Sequence, residues 1–248
     1  MVAATATACT VTPSARGDLA ENRQILDACD ASAPPAADVQ LDGSGSSDSA
    51  AIVAERMAAV EEIVRQTAIC SGRLRVSVFS ASSAANTVLF DEPLHLDGAT
   101  ENARLKRVPH VVEETMSEIE EAYEPAVAEL PGGGSDIRGQ YRMASEWSAQ
   151  VGDDFRLHLY VLTDGFQNVG VDVGGQAMTP QEAAALADET AVPTLPGAFV
   201  TVAGIGRVAG SPPSSTVTER LVAYYDAVCA QAEADVCTSV TDYTSGSW

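Results

Sequence analysis

Lysine is almost absent from this chain of 248 residues, and basic residues of any kind are few. Lys106 is the single lysine. The chain has 14 lysine and arginine residues against 35 acidic ones, so its formal net charge at pH 7 is −21. Such a charge repels phosphate backbones and anionic lipids, which excludes nucleic acid and membrane surfaces as main partners. Two explanations of this acidity stay open. It keeps the protein soluble in salt or outside the cell, or a bound metal ion offsets part of the charge.

Long apolar runs and zinc-binding patterns are also missing. No stretch reaches the roughly 18 consecutive apolar residues that a transmembrane helix needs, so the sequence predicts no membrane span. The sequence has no Cys-x-x-Cys pair, and its three histidines do not lie at zinc-ligand spacings from the cysteines. A zinc site is therefore not expected.

The sequence has five cysteines, and disulfides in an exported protein are the use that we favour for them. Small residues before Cys9 resemble the end of a bacterial lipoprotein signal, so Cys9 would carry a lipid anchor; alternatively, Cys9 pairs with Cys29. Cys229 and Cys237 are eight residues apart. A helix that turns back to a strand brings such a pair within the roughly 4.4 to 6.8 Å between Cα atoms that a disulfide needs. We therefore predict this disulfide and an extracytoplasmic location, either secreted or lipid-anchored at the cell surface.

The chain divides into a partly flexible N-terminal extension, 1–37, and one folded domain, 38–248. The prolines at 34 and 35 end a short helix predicted within 21–30. Beyond them, β-rich runs alternate with helical patterns, which favours an α/β domain with a mostly parallel sheet and helices on both faces. The patterns predict strands over 39–41, 74–79, 88–90, 157–162, 198–205 and 237–241, and helices over 49–67, 103–129 (interrupted near Pro109 and Pro125), 136–149 and 217–232. The strand over 88–90 pairs with its predecessor as a hairpin.

Three polar loops follow predicted elements in a way that brings them to one edge of the sheet. Ligands of open parallel sheets bind outside the carboxyl ends of the strands. The loops contribute only carboxylate and hydroxyl oxygens, which suit Mg²⁺ or Mn²⁺, with Ca²⁺ as a further candidate. Taken singly, each loop also fits an ordinary turn or helix cap. The candidate metal ligands are Asp42, Ser44, Ser46, Ser135 and Asp164.

The same residues carry a resemblance to a known family. Asp-x-Ser-x-Ser after the first strand, Ser135 in a Gly-rich loop before a helix, and Thr-Asp-Gly at 163–165 resemble the metal-ion-dependent adhesion site of von Willebrand factor type A (VWA) domains. The resemblance covers roughly residues 38 to 242. It implies a Rossmann-like, doubly wound sheet with one antiparallel edge strand. Ser135 stands where the family usually has threonine, so the hydroxyl ligand is kept but is held less rigidly.

One spacing departs from the family pattern. From Asp42 to Ser135 is 93 residues, and the surplus lies in a predicted helical insertion around 91–131. Long insertions beside a site are often functional, so the insertion either carries partner specificity or packs as an extra helix on the flank.

The resemblance implies a metal-dependent protein-binding domain rather than an enzyme. In the family, the bound metal keeps one position open for a partner's carboxylate. The expected partner is therefore a protein that presents an Asp or Glu from a basic or neutral surface, since an acidic one would be repelled. Two alternatives remain: a structural module whose metal only organises the loops, and a serine hydrolase in which Ser44 or Ser46 acts with a histidine and Asp164. No G-x-S-x-G motif supports the hydrolase.

Overall fold

The strand order of the central sheet confirms the α/β, doubly wound prediction. In a computed structural model, which describes residues 15–47, 49–189 and 191–243, six strands lie in the order β3-β2-β1-β4-β5-β6. β3 is antiparallel to β2, and every other neighbouring pair is parallel. The strands are β1 (Pro35–Asp42), β2 (Arg73–Phe79), β3 (Thr87–Pro93), β4 (Arg156–Leu162), β5 (Phe199–Ala203) and β6 (Val236–Val240).

Helices cover both faces of this sheet, and each face has its own apolar core. They are α1 (Ala15–Ala28), α2 (Ala50–Ile69), α3 (Glu101–Leu105), α4 (Val108–Ala128), α5 (Ile137–Val151), α6 (Pro180–Ala187) and α7 (Ser215–Gln231). α2 and α4 pack on one face, with α1 beside them, and α5, α6 and α7 pack on the other. β1 lies at the centre, so all eight of its residues are buried.

Most predicted elements agree with the structure, with four main differences. α1 begins at Ala15, six residues before the predicted start of its helix. β1 begins at Pro35, three residues before the predicted start of the domain at residue 38. The predicted interruption at Pro125 is wrong, because α4 continues through it to Ala128. Pro125 is exposed in the last turn, where the packing of Ile119 and Tyr123 on the sheet outweighs the lost backbone hydrogen bond. α6 was not predicted; Thr179 and Glu182 begin it with reciprocal side-chain to backbone hydrogen bonds.

A charged pair lies inside the sheet, where the sequence had indicated only a short apolar strand. Asp38 is fully buried on β1, and its carboxylate accepts hydrogen bonds from Arg75 at 2.9 and 2.6 Å. The Arg75 guanidinium also lies 4.6 Å from the ring centre of Trp147. Gln40 donates to Asp38 at 2.7 Å. Removing one partner would leave a buried charge, so this network constrains how β1, β2 and α5 pack.

Two disulfides cross-link helices to neighbouring elements. The predicted bond between Cys229 and Cys237 is confirmed, with its Cα atoms 5.9 Å apart; it joins α7 to β6 and is called the α7–β6 disulfide below. Cys29 pairs with Cys70, so the alternative pairing with Cys9 is wrong; Cys9 itself lies outside the described residues. This α1–α2 disulfide closes a separation of 41 residues. Two disulfides indicate an oxidising, extracytoplasmic environment.

The N-terminal helix and the segment 91–131 both pack on the α2 face of the sheet. Leu19, Ile25 and Leu26 of α1 contact its core, and Arg65 of α2 forms an ion pair with Glu21 of α1 at 3.2 Å. In the segment 91–131, α4 packs against α2 and β3. Within 15–47, 49–189 and 191–243, every helix is too short or too polar to span a bilayer.

Candidate functional site

The candidate site lies where the chain reverses its direction of winding through the sheet. From β1 the chain proceeds outward to β2 and β3, and it then returns to the other side of β1 as β4. The loops after β1 and β4 therefore leave adjacent parallel strands in opposite directions and open a crevice between them. Asp42 is the last residue of β1, and Asp164 is the second residue after β4. The structure brings the first and third predicted loops together here.

Asp42 is the hydrogen-bonding centre of the three loops. Its side chain is fully buried, and Oδ1 accepts the backbone N–H of Ser44 at 2.9 Å. The Ser135 hydroxyl donates to the same carboxylate, with Oγ 3.1 Å from both oxygens. The Thr163 hydroxyl donates to Oδ2 at 2.6 Å. One carboxylate thus links the loop after β1, the loop before α5 and the loop after β4.

The two serines of the first loop lie side by side. Gly45–Ser47 forms a short 3-10 turn, and the Ser46 hydroxyl oxygen in this turn lies 3.2 Å from that of Ser44, the residue just before it. Ser44 is buried, whereas Ser46 is exposed. The backbone carbonyl of Ser46 accepts a hydrogen bond from Ala209 N–H at 2.8 Å, which ties this turn to the loop after β5. The hydroxyls are therefore held at the mouth of the crevice.

Ser135 is positioned by a tight approach between two loops. Its backbone N–H donates to Asn168 Oδ1 at 3.0 Å, so the loop before α5 is fastened to the loop after β4. A Cβ atom on Gly134 would lie 2.0 Å from the same Asn168 oxygen, and this backbone has a φ of +159°. Glycine is therefore required at 134, because any side chain would push Asn168 away from Ser135.

Asp164 carries a carboxylate oxygen that its surroundings leave unsatisfied. Oδ1 accepts the Phe166 N–H at 3.0 Å, whereas Oδ2 is buried and has no hydrogen-bond partner among the described residues. Burial raises the pKa of Asp164, and the nearby charge of Asp42 raises it further; the Ser46 hydroxyl acts in the opposite direction. Native proteins rarely leave such an atom unpaired, so Oδ2 is the oxygen of this site that can accept a further partner.

Three further residues at this site were not among the candidates. Thr163 and Asn168 orient Asp42 and Ser135, and Arg56 of α2 donates to the Asp42 backbone carbonyl. Arg56 is buried and also donates to the Tyr243 hydroxyl at 3.0 Å. A signal for Arg56 was present in the sequence: it lies four residues after Ile52 and four before Val60, inside the apolar stripe of α2.

The oxygen atoms of the three loops surround an open cavity of about 490 Å³. Its lining residues are Ser44, Gly45, Ser46, Gly133, Gly134, Ser135, Phe166, Asn168 and Val208. Ser44, Ser46 and Ser135 bring hydroxyl groups to this cavity, and Asp42 accepts hydrogen bonds from Ser44 and Ser135. Such an oxygen-only set suits a hard divalent cation. Among the residues that the structure describes, no three His, Cys, Asp or Glu side chains group as metal ligands. The candidate set contains only two carboxylates, so metal binding stays a prediction.

The histidines lie elsewhere. His158 is near the amino end of β4, five residues before Thr163, which corresponds to roughly 16 Å along an extended strand. Burial, with a smaller contribution from Arg156, lowers its pKa to about 3. His95 and His110 are exposed and lie beside Asp97 and Glu114. His158 therefore does not lie beside Ser44 or Ser46, as a hydrolase triad would require.

Comparisons with known proteins give a general likeness only. No protein-family model matches the sequence, and no curated protein matches it either. Among solved structures, BatB from Bacteroides thetaiotaomicron is 12% identical with a TM-score of 0.45, and the match covers 83% of this chain and 90% of that one. Proximal thread matrix protein 1 from the mussel byssus is 18% identical with a TM-score of 0.42, over 87% of this chain and 45% of that one.

The pilus adhesin SpaC from Lactobacillus rhamnosus GG is 14% identical in its open conformation, with a TM-score of 0.40. That match covers 83% of this chain and 28% of the adhesin, so the chain spans less than half the length of the last two proteins. At such TM-scores the likeness carries no conclusion about family or activity. The α/β fold stands on the strand order, and the VWA family remains a resemblance of motifs.

Proposed function

We propose that the chain is a metal-dependent protein-binding domain of the VWA type and not an enzyme. Asp42, Ser44, Ser46, Ser135 and Asp164 would hold Mg²⁺ or Mn²⁺, with Ca²⁺ as a third candidate. The observation that carries the proposal is the buried Oδ2 of Asp164, which has no hydrogen-bond partner among the described residues and lies near the buried carboxylate of Asp42. Two such carboxylates repel each other unless a cation lies between them.

The protein's own residues prepare this site before any cation arrives. Thr163 and Ser135 fix the orientation of the Asp42 carboxylate, and the hydroxyl oxygens of Ser44 and Ser46 lie 3.2 Å apart. Neutral hydroxyls leave a bound divalent cation electron-poor, so it would supply a strong attraction for an anionic oxygen ligand. A carboxylate of a partner protein has the matching chemistry.

The partner is expected to present one protruding Asp or Glu from a surface that is basic or neutral overall. The net charge of −21 would repel an acidic surface over roughly one Debye length, about 8 Å at physiological salt. Charges around the contact would set the association rate, while the carboxylate and the cation would set the lifetime. We also propose that the chain is exported and carries a lipid anchor at Cys9.

Calorimetric titration with MgCl₂, MnCl₂ and CaCl₂ tests the metal site. The wild-type chain is expected to bind one divalent ion per molecule, whereas Asp164→Asn and Ser135→Ala are expected to lose most of the affinity. Asp153→Asn is a matched control, because Asp153 is exposed and lies outside the three loops. Absence of binding by the wild type, or equal affinity in all four proteins, would contradict the site.

A second measurement separates a binding site from a purely structural metal. Surface plasmon resonance of a purified partner, with and without EDTA, is expected to show loss of binding when the ion is removed. The Asp164→Asn chain serves as the matched negative control, since it keeps the shape of the loop. Binding that persists at full strength in EDTA would favour the structural-metal alternative.

A further inference from the structure

An apolar groove opens beside the candidate metal site on the α2 face of the sheet. It lies between α2 and α4, has a volume of about 750 Å³, and begins at Asp42 and Ser44. Val53 and Met57 of α2 and Val127 of α4 line it and are only half-buried. Its volume lies in the range of pockets that hold small ligands, about 300 to 1,000 Å³, so it is large enough for one or two apolar side chains.

The charge along the groove has one sign. Glu120 and Glu124 lie one turn apart on α4, both are exposed, and both line the groove. None of the lining residues within the described part of the chain is basic. An occupant that combines an apolar side chain with a Lys or Arg would therefore bury its apolar part and place its cation beside the two carboxylates.

The groove is also continuous with the candidate metal site. Ser44 lines both this groove and the cavity over the three loops. The part of α2 that forms the wall, from Ala50 to Met57, rises roughly 10 Å along the helix axis. About three residues of an extended peptide cover that length. A single extended segment can thus reach the metal site with one residue and the groove with the next few.

We propose that the groove binds the apolar and basic neighbours of the partner's metal-directed carboxylate. The partner segment is extended and carries an Asp or Glu, with a large apolar residue and a Lys or Arg within about four positions. The requirement for an Asp or Glu in the partner segment rests on the proposed metal-dependent function. The requirement for an apolar and a basic residue rests on the groove alone, so each requirement can be refuted without the other.

Selection from a phage-displayed library of random peptides, carried out on the full chain in Mg²⁺, tests this proposal. Enriched peptides are expected to share an acidic residue with a Leu-sized or Phe-sized residue and a Lys or Arg close by. Replacing the apolar residue of an enriched peptide by Ser should weaken its binding at least about tenfold. Enrichment of acidic peptides with no apolar or basic preference would overturn the groove proposal and leave the metal site intact.

Substitutions in the groove test which of its residues cause the peptides' preference for basic and for apolar side chains. Glu120→Lys with Glu124→Lys should abolish the Lys and Arg preference, while Glu114→Lys with Glu118→Lys, an exposed pair of equal spacing on the same helix, should leave it unchanged. If both pairs act alike, general charge rather than the groove is responsible, and the proposal is wrong. Met57→Gln, with folding checked by its melting curve, should remove the apolar preference.

The Asp164→Asn chain separates the groove from the metal site. It should lose the acidic preference and keep the apolar and basic one. The same pattern is expected for the wild type in EDTA. If the acidic preference is absent even from the wild type in Mg²⁺ while the other two persist, the metal-dependent function fails and the groove stands. If no preference of any kind is found, both are refuted.

Discussion

The two aspartates of the candidate site should respond in opposite ways to substitution. Asp42 accepts hydrogen bonds from Ser44, Ser135 and Thr163, so Asp42→Ala leaves three donors without their acceptor. A hydrogen bond to a charged group contributes about 1.5 to 3 kcal/mol. The hydroxyls can turn to other acceptors and water can enter the space, so the sum is not reached. We expect a loss of about 3 to 5 kcal/mol in the free energy of unfolding.

Asp164 should tolerate the loss of its charge. Its Oδ2 has no hydrogen-bond partner among the described residues, and the amide of Asp164→Asn still offers an oxygen to the Phe166 N–H. Burial and the neighbouring Asp42 raise the pKa of Asp164, which means that its ionised form is disfavoured in the folded chain. In the absence of metal, we expect Asp164→Asn to lie within about 1 kcal/mol of the wild type or to be more stable.

Urea unfolding, followed by circular dichroism in EDTA and again in MgCl₂, measures both effects. A ligand at one hundred times its dissociation constant adds about 2.7 kcal/mol to the stability of the folded state. The wild-type chain should show such a gain in Mg²⁺, and Asp42→Ala and Asp164→Asn should not. If Asp164→Asn loses as much stability in EDTA as Asp42→Ala does, the reasoning from the unpartnered oxygen is refuted. A loss below about 1 kcal/mol for Asp42→Ala would refute its central role.

Three further predictions concern stability, each measured by the urea midpoint. Replacing both cysteines of the α1–α2 disulfide by serine should cost about 4 kcal/mol, against about 2.5 kcal/mol for the shorter loop of the α7–β6 disulfide; equal costs would contradict the loop-length argument. His158 has a folded pKa of about 3, below its ordinary 6.5, so it stabilises the fold above pH 6.5 and this contribution is lost as the pH falls. At about pH 5 the loss should reach about 2 kcal/mol, and it should be absent in His158→Gln. Asp38→Ala should cost about 3 to 5 kcal/mol because it leaves Arg75 buried and unpaired, whereas Glu146→Ala, which breaks an exposed pair, should cost under about 1 kcal/mol.

Sequence patterns predicted the sheet and the meeting of the loops because both depend on local signals. Alternation of β-rich and helical runs fixes the fold class, and the carboxyl ends of parallel strands share one edge. Asp42 and Asp164 could therefore be placed together without any structure. The disulfide from Cys229 to Cys237 followed for a similar reason, since only a short turn separates the two cysteines.

Contacts between elements distant in sequence were beyond these patterns. Nothing local indicates that Cys29 meets Cys70, or that Arg75 reaches across to Asp38. The groove depends on how far α4 stands from α2, which the packing of the whole face decides. Arg56 is an intermediate case, because a charged residue within an apolar stripe signals a buried partner but does not identify it.

Both disulfides lie on the side of the sheet opposite the three loops. Cys29 precedes β1, Cys70 precedes β2, and the α7–β6 disulfide ends at the second residue of β6. The covalent bonds therefore hold the amino ends of the strands, while the described residues at the carboxyl ends are held by non-covalent contacts such as the hydrogen bonds to Asp42. Local opening motions should start at the carboxyl ends, so the amides of the three loops should exchange with deuterium before those of the strand beginnings. We therefore expect the face that a ligand would approach to open more readily than the opposite face.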